Sequence, residues 1–559
     1  MLGMLSFIKR NHQPLFYIAW CVVNLIQAGY TELFDDEAYY WVYAQFPDWG
    51  YFDHPPMIAL LIKAGYAIFP NELGVRFFIV LLNTATIFIT QQLLGKRDDY
   101  LFYAIAGSIA IVQIGGIIAV PDIPLLFFVA LFFWFYQQFV THMTIGRSVL
   151  LGLSIALMLY SKYHGILIVI ATLASNPKLF ARYQTYIVTL VALVAFAPHL
   201  YWQYTHGFPS VKYHLFERST SYYDTRYTIE YLVGQLALAG PLMGWLLLKA
   251  AFDHKPVQEL ERALKYSLIG FYSFFLLSSF RGRVEANWTV PAFIALIVLS
   301  HQYLSRQASW RSWLYKSIPI SLIFILLVRV YMLPVIPRAK WFPKDEFHEN
   351  KTWVSAVQNR AQGLPVVFIG SYQKASKYWF YSQTSSLSMN DIEYRRNNYN
   401  FWPLEDSLLG KKVMVVGIYD SVTQIDPIKE LGNKASHVYA PYYSFSRINI
   451  RYEGKPLLKN KQFTINGTIE TPVGYLPFLQ QAPFDTASIQ LAFENEQEKI
   501  LAFPTGLTVR QIKEACQPFH LQVPVHLPPG RYTFRFAIST CIPKSRSMNS
   551  AGSSLLVEE

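Results

Sequence analysis

The amino-acid sequence predicts a polytopic α-helical membrane protein followed by a soluble C-terminal region. Hydrophobic residues fill 53% of its 559 positions and charged residues only 15%, the balance of a chain that buries much of its surface in lipid. The first ~335 residues form a train of apolar runs, each near the ~20 residues that cross a bilayer at about 1.5 Å per residue. Aromatic residues, 41 Phe, 38 Tyr and 13 Trp, reach 16%. That exceeds what soluble cores need and suits the headgroup level of a membrane, where amphipathic rings gather.

About eleven runs qualify as spans, opening near Pro14, Arg76, Tyr100, Pro124, Val149, Gly165, Tyr186, Ile229, Tyr266, Pro291 and Ser317. The first looks like the apolar stretch of a signal peptide, but no small-residue cleavage site follows residues 22–29, so it is read as the first helix. The formal charge of +12, from 48 basic and 36 acidic residues, is spread too thinly for a nucleic-acid-binding protein or a disordered tail. Three cysteines exclude a disulfide scaffold and a multi-cysteine metal module. Cys516 and Cys541 are available to pair if the C-terminal part faces an oxidising compartment.

Lys and Arg in short loops stay on the cytoplasmic side. Lys9, Arg10, Lys96, Arg97, Arg147, Lys178, Arg182, Lys249, Lys255, Arg262, Lys265, Arg306, Arg311 and Lys316 are therefore expected on one side. Between Arg147 and Lys178 the rule holds only for two short helices broken at Ser161-Lys162-Tyr163-His164-Gly165, which places that pentapeptide outside. The same parity puts residues 31–71, Pro121-Asp122, residues 201–228 and 281–288, and everything after about residue 337 outside. Inner breaks are short and basic. Outer breaks carry Asp35, Asp36, Glu37, Asp48, Asp53, His54, Asp122, His206, His214, Glu217, Arg281, Arg283 and Glu285, a gathering of carboxylates and imidazoles that suits an outward-facing active site.

The chain thus divides into a membrane domain over 1–336, an extracytoplasmic α/β domain over 337–456 and a β-rich domain over 457–559. Prolines across 334–343 punctuate the exit from the last span. Pro365-Val-Val-Phe-Ile-Gly370 and Lys412-Val-Met-Val-Val-Gly417 read as short buried strands, with a helical pattern over 372–383 between them. From about Leu457 strands and turns alternate, ending in Leu527-Pro-Pro-Gly-Arg-Tyr-Thr-Phe-Arg-Phe536, where a Pro-Gly turn feeds a period-two strand. This pattern is that of a small β-sandwich.

The densest chemical signal is Asp35-Asp36-Glu37-Ala-Tyr-Tyr-Trp41 followed by Gly50-Tyr-Phe-Asp53-His54-Pro55-Pro56. Three adjacent carboxylates repel one another, so at least one should hold its proton more tightly unless a cation, a metal or a donor N–H compensates. One such group would serve as a general base; equally, the run serves as solvated loop acids at a helix start. The Pro-Pro pair stiffens the backbone after Asp53-His54.

These two motifs, with Pro121-Asp122-Ile-Pro-Leu-Leu-Phe-Phe128 opening a later hairpin, resemble the lipid-phosphosugar-dependent integral-membrane glycosyltransferases of the GT-C superfamily. The similar branch includes bacterial aminoarabinose transferase and the dolichyl-phosphate-mannose protein mannosyltransferase-like proteins. The resemblance covers roughly residues 10–300, with the three motifs in family order. It implies a GT-C-like membrane domain at the plasma (inner) membrane and a polyprenyl-phosphate sugar donor. It also implies a lipid, glycan or protein acceptor, and transfer at the extracytoplasmic face. Carried over residue by residue, the Asp-Glu pair that supplies the catalytic carboxylate matches Asp36, with Glu37 beside it. The acidic-basic-Pro element that contacts metal and lipid phosphate matches Asp53-His54-Pro55, and the acidic residue of the later hairpin matches Asp122. Two departures stand out: the aminoarabinose branch has Arg where this chain has Tyr39 and Lys where it has His54, so other residues must meet the phosphate charge here.

Transfer needs a base for the acceptor proton and cations or a metal for the leaving phosphate. Asp36 suits the first role. Lys162 with its neighbour Tyr163, and Arg281 and Arg283, lie at the outer ends of spans where a headgroup phosphate would sit; each is equally explained by snorkelling to the interface. Displacement by a base-activated acceptor implies inversion at the anomeric carbon. A divalent metal ion is a candidate cofactor, with Asp53 and His54 as ligands and Asp122, His206, His214 and Glu217 within the same outer set, yet no local ligand spacing fixes a site. The competing reading is a transporter or flippase of a lipid-linked sugar, which would place ionisable groups at mid-membrane; here they cluster in outer breaks. An inactive assembly subunit is the third reading, against which the intact Asp36-Glu37 pair speaks.

Overall fold

The computed structural model describes residues 10–95, 97–214, 223–240, 242–339, 345–418, 426–432, 434–459, 461–495, 497 and 499–557. Glu217 lies outside them. The chain forms two compact units, residues 1–348 and 349–559.

In unit 1 nearly every apolar run is a helix or a bent pair of helices. The helices are α1 (His12–Tyr30), α2 (Asp35–Gln45), α3 (Met57–Ile68), α4 (Glu72–Gln92), α5 (Asp99–Ser108), α6 (Asp122–Thr141) and α7 (Ile145–Ser161). They continue with α8 (Gly165–Ser175), α9 (Tyr183–Thr205), α10 (Thr225–Ala239), α11 (Gly244–Asp253), α12 (Glu259–Ser278), α13 (Phe293–Leu304) and α14 (Ala308–Tyr331). Among the described residues, only α4, α6, α9 and α14 are single helices long and apolar enough to cross a membrane. The number rises to six if two bent pairs each count as one span: α5 with residues 110–117, bent by 83°, and α10 with α11, bent by 92°. The expected count of about eleven spans is not reached by this measure. The cause is that α7, α8 and α13 have 17, 11 and 12 residues, while α12 opens on the polar Glu259-Leu-Glu-Arg-Ala-Leu-Lys265.

Helices α9 and α14 turn Leu190, Val194, Leu200, Ile323, Leu326 and Leu327 outward, at 46–65% exposure, as lipid-facing helices do. Inside, Leu101, Phe102, Phe133, Leu264, Phe271 and Phe293 belong to one continuous apolar core. The polar breaks gather at the two ends of α1. At its start, Gln13 donates to Asp99 (2.8 Å), while Asp98 accepts from His301 through its carbonyl (3.0 Å) and pairs with Arg311 (3.7 Å). At its end lies the buried ion pair of Glu37 and Arg76.

That pair is saturated. Arg76 Nε donates to Glu37 Oε1 (2.7 Å) and Nη2 to Oε2. The remaining guanidinium N–H groups reach the carbonyls of Ala28 (2.9 Å), Thr31 (2.6 Å) and Glu32 (2.9 Å), so all five donors of the fork are used. Glu37 also accepts from the backbone N–H of Ala119 (2.7 Å) and Phe34 (2.8 Å), which fills all four of its acceptor positions. Both side chains are at most 1% exposed. The pair joins α1, the 31–34 turn, α2, α4 and the strand-like approach to α6. The helices α3 and α4 meet so closely at Gly65 and Gly74 that a Cβ on Gly74 would lie 1.8 Å from the Phe69 carbonyl oxygen.

Unit 2 begins with α15 (Asn350–Ala361), β1 (Val366–Ile369), α16 (Tyr372–Ser382), β2 (Ser386–Met389), β3 (Val413–Ile418), β4 (Asp426–Ile428) and β5 (Lys434–Tyr439). Their sheet runs β2-β1-β3-β5-β4, parallel on both sides of β1 and antiparallel beyond β3. Next come β6 (Asn449–Lys459), β7 (Gln462–Glu470), β8 (Ser488–Asn495), β9 (Ile500–Thr508), β10 (Cys516–Pro524), β11 (Gly530–Ser539), β12 (Arg546–Met548) and β13 (Ser553–Val557). They form two antiparallel sheets, β10-β7-β6 and β12-β11-β8-β9 with β13 on β11, packed through Phe463, Phe493 and Phe534 with ring centroids 5.3–6.2 Å apart. Strand β6 opens at Asn449, ahead of residue 457, because a bulge at Gly454 shifts the register between Glu453 and Leu457 and breaks the period-two pattern. The backbones of Asp391 and Ser547 bridge, and Ile392 N–H donates to the Arg546 carbonyl (3.0 Å), which ties the α/β part to the sandwich. Cys516 and Cys541 are unpaired.

Two predictions follow from this packing. Arg76→Ala strands a buried carboxylate and should cost about 3–5 kcal/mol; in a thermal-unfolding cycle in lipid nanodiscs, the double variant with Glu37→Ala loses less than the sum of the singles. In unit 2, burial and then the nearby Glu393 carboxylate push the Asp391 carboxyl up to about 6. A folded-state value above the ordinary one favours the folded chain only while the group is protonated, so stability declines as pH rises from about 4 through about 6. Asp391→Asn should therefore add about 1–2 kcal/mol at pH 7.5, allowing for its partial exposure, and nothing at pH 4, read by hydrogen exchange of β12 in the intact protein.

Candidate functional site

Helix α2 separates the three adjacent carboxylates. Residues 36, 40 and 43 share one helical face, and the latter two carry the contacts to the loop that follows. The Tyr40 ring meets His54 edge-on with centroids 5.5 Å apart. Tyr43 donates its hydroxyl to Asp53 Oδ1 and stacks on Tyr51 at 4.1 Å. Burial first, and then the Asp53 carboxylate, raise the Tyr43 phenol well above its ordinary value, so it remains a donor. Asp36, half-buried at the start of that face, thus stands on the side of Asp53 and His54, while Glu37 points into the Arg76 pair.

The loop over residues 46–56 is fastened to α9. Trp202 Nε1 donates to Asp48 (2.8 Å), and Gly50 lies under the Trp202 ring, where a Cβ would come within 2.4 Å of a ring carbon. His199 donates through Nδ1 to the Trp49 carbonyl (2.7 Å), which leaves Nε2 to accept from the Tyr163 hydroxyl (3.0 Å). Gln203 bridges Tyr163 (3.0 Å) and Ser210 (2.7 Å), and Ser210 reaches the Tyr51 carbonyl (2.9 Å). His214 Nε2 donates to the Asp53 carbonyl (3.0 Å) and its ring lies 6.0 Å from that of Tyr163. Burial above all, with a smaller contribution from the Asp53 carboxylate, raises the Tyr163 phenol above its ordinary value.

One residue before Tyr163, in the break between α7 and α8, Lys162 donates to Asp122 Oδ1 (2.8 Å) with both side chains 7% exposed or less. Asn287 donates to Asp122 Oδ2 (3.0 Å). Lys162 carries three N–H donors, and among the described residues Asp122 is the one hydrogen-bond partner found for them. A buried ammonium held at one corner with spare donors is arranged to meet an anion.

The structure therefore links Asp53, His54, Tyr163, Lys162 and Asp122 as contacts or chain neighbours, and helical spacing sets Asp36 on the face of Tyr40 and Tyr43. Arg281 and Arg283 lie exposed between α12 and the turn that carries Asn287, and Arg283 pairs with Glu230 (3.3 Å). Glu37 is fully enclosed by Arg76 and two backbone donors, with no acceptor position left for a proton from a substrate. Among the described residues no three His, Cys, Asp or Glu side chains converge as a metal site around Asp53 and His54. Sequence reasoning missed Arg76, Tyr43, His199 and Asn287. Arg76 had a signal, a cation at the outer end of a span where the charge rule does not place one; the others read as ordinary polar residues near breaks.

A family model for dolichyl-phosphate-mannose-protein mannosyltransferases matches residues 53–202, the stretch from Asp53 through Asp122 and Lys162 to Trp202. Lipid A galacturonosyltransferase RgtD of Rhizobium johnstonii is 26% identical over 305 residues, 51% of this chain; the match spans 63% of that relative, less than two thirds of its length. Crystal structures of ArnT from Cupriavidus metallidurans superpose with a TM-score of 0.57 at 13% identity. The apo state covers 78% of this chain and 99% of ArnT, and the form bound to undecaprenyl phosphate covers 77% and 98%. At that identity the likeness is one of fold. Sequence match and shared architecture together liken the chain to these integral-membrane glycosyltransferases and support a GT-C assignment.

Proposed function

We propose that the protein transfers a sugar from a polyprenyl phosphate to an acceptor at the extracytoplasmic face of the inner membrane, with unit 2 on that side. The observation that carries this reading is Lys162, a buried ammonium with spare donors beside Asp122 and Asn287. It takes the phosphate-facing role left open by Tyr39 and His54 in place of cations. An apolar groove of about 400 Å³ between α10, α11 and α12, lined by Tyr231, Leu232, Leu236, Leu248, Phe252 and Leu276, supplies a seat for the isoprenoid chain. Its lining includes Gln235, which donates to the carbonyl of Ala286, next to Asn287 (3.3 Å). Arg281 and Arg283, exposed beside that turn, offer first capture of the phosphate. The match to RgtD favours a glycolipid of the lipid A type as the acceptor over a glycan or a protein, and ArnT bound to undecaprenyl phosphate supports the donor class.

In this reading Asp36 takes the proton from the acceptor hydroxyl as its oxygen bonds to the anomeric carbon, and the bond from that carbon to the phosphate oxygen breaks. Lys162 meets the charge growing on the leaving phosphate, and attack opposite the leaving group inverts the anomeric configuration. Asp53, held by Tyr43, and Tyr163, held by His199 and Gln203, line the sugar pocket. Glu37 positions Asp36 rather than sharing its chemistry.

Two experiments test this. With undecaprenyl-phosphate galacturonic acid and lipid A as substrates, Asp36→Asn should lower turnover about 100-fold or more while undecaprenyl phosphate still binds; unchanged turnover removes Asp36 from the mechanism. Lys162→Gln should weaken binding of undecaprenyl phosphate about tenfold or more in lipid nanodiscs, as loss of a charge-assisted contact does; unchanged affinity places the phosphate elsewhere.

A further inference from the structure

The chain between α14 and unit 2 returns to the helix that carries Asp36. Glu346, 8% exposed, accepts through Oε2 from the backbone N–H of Asp35 (3.2 Å), 311 positions away in sequence. Helix α2 needs that acceptor. Its N-cap residue is Phe34, which has no side-chain oxygen to offer, and the first-turn N–H groups of a helix have no partner within it. Where an N-cap side chain would serve the second or third N–H of the turn, Glu346 serves the first, from a distance.

The short strap that brings Glu346 into place, residues 345–348, is anchored on both sides. The Asp345 carboxylate accepts from the Tyr331 hydroxyl at the end of α14, from the Phe347 N–H (3.0 Å) and from His348 Nδ1 (2.8 Å). The His348 ring packs against Tyr331 with centroids 4.9 Å apart. Phe347 lies 5.6 Å from the Phe34 ring, centroid to centroid, and packs on the small cluster of Ala28, Val80, Ile117 and Met332. The residues on either side of Glu346 are therefore fixed by packing and hydrogen bonds of their own.

We propose that Glu346 is a positioning residue for Asp36. By capping the first turn of α2 it fixes the backbone one residue before the base, and its negative charge at the helix N-terminus is one the helix dipole favours. The inference rests on the assignment of Asp36 above and adds that the 345–348 strap sets the geometry in which Asp36 works.

The test uses the intact protein in lipid nanodiscs with undecaprenyl-phosphate galacturonic acid and lipid A, comparing Glu346→Ala, Glu346→Gln and Asp36→Asn, with hydrogen exchange of the 34–40 peptide read alongside. Glu346→Ala is expected to lower kcat about tenfold with the donor KM within about twofold, and to speed exchange across residues 34–40. Glu346→Gln, which keeps an acceptor for the Asp35 N–H, is expected to restore kcat to within about threefold of the wild type. If Glu346→Ala does not fold, Glu346→Asp, one methylene shorter, carries the same expectation. Wild-type kcat in Glu346→Ala while Asp36→Asn is dead overturns the proposal and leaves the base assignment standing. Activity surviving in Asp36→Asn overturns that assignment instead, and this inference with it. A loss in Glu346→Gln as deep as in Glu346→Ala, or unchanged exchange at 34–40, also overturns it.

Discussion

A carboxylate and a guanidinium buried without water are stable only when nearly every donor and acceptor is matched, because removing charges from water costs several kcal/mol per ion. Glu37 and Arg76 meet that demand in full, and what surrounds them follows from it. The carbonyls of Ala28, Thr31 and Glu32 must present themselves to the guanidinium, which fixes how α1 ends and turns. The Ala119 N–H must reach Glu37, which fixes the approach to α6 and so the place of Asp122. With position 37 committed inward, the helical period leaves position 36 facing Asp53 and His54.

The site is assembled almost entirely from places where helices stop. Asp36 opens α2, Asp53 and His54 precede α3, Asp122 opens α6, Lys162 and Tyr163 part α7 from α8, and Asn287 sits in the turn before α13. Regular helices satisfy their own backbone and present side chains at fixed spacing, whereas their ends free the chain to bring unlike residues to one point. The stiffness comes from elsewhere: the Trp202 ring over Gly50, the Tyr43–Tyr51 stack, and the His199–Tyr163–Gln203 hydrogen bonds.

Much of this was legible in the sequence, for physical reasons that also set the limits. Apolar runs of near-bilayer length located the helices, and the charge rule forced the break at residues 161–165 that the structure shows between Ser161 and Gly165. Runs of Val and Ile flanked by Gly placed β1 and β3. The span count was overestimated because a run's apolar length does not reveal where polar first turns and sharp bends shorten the helix. Composition marked three carboxylates in a row but not their division, since that depends on Arg76, 39 positions away. Asn287 and His199 were invisible for the same reason: an amide or imidazole near a loop acquires meaning only from what tertiary packing sets opposite it. The start of β6 was hidden by its bulge.

The interruption after Ser161 also bears on how such a molecule can change. Helix α7 packs against α6 and α9, whereas α8 packs chiefly against α12, so the two halves of one apolar run belong to different neighbourhoods. Residues 162 and 163 sit at the seam. Substitutions accumulating around α12 can reshape the groove it shares with α10 and α11 without disturbing the face that α7 shares with α9. One half of the run can thus repack while the other keeps its neighbours unaltered.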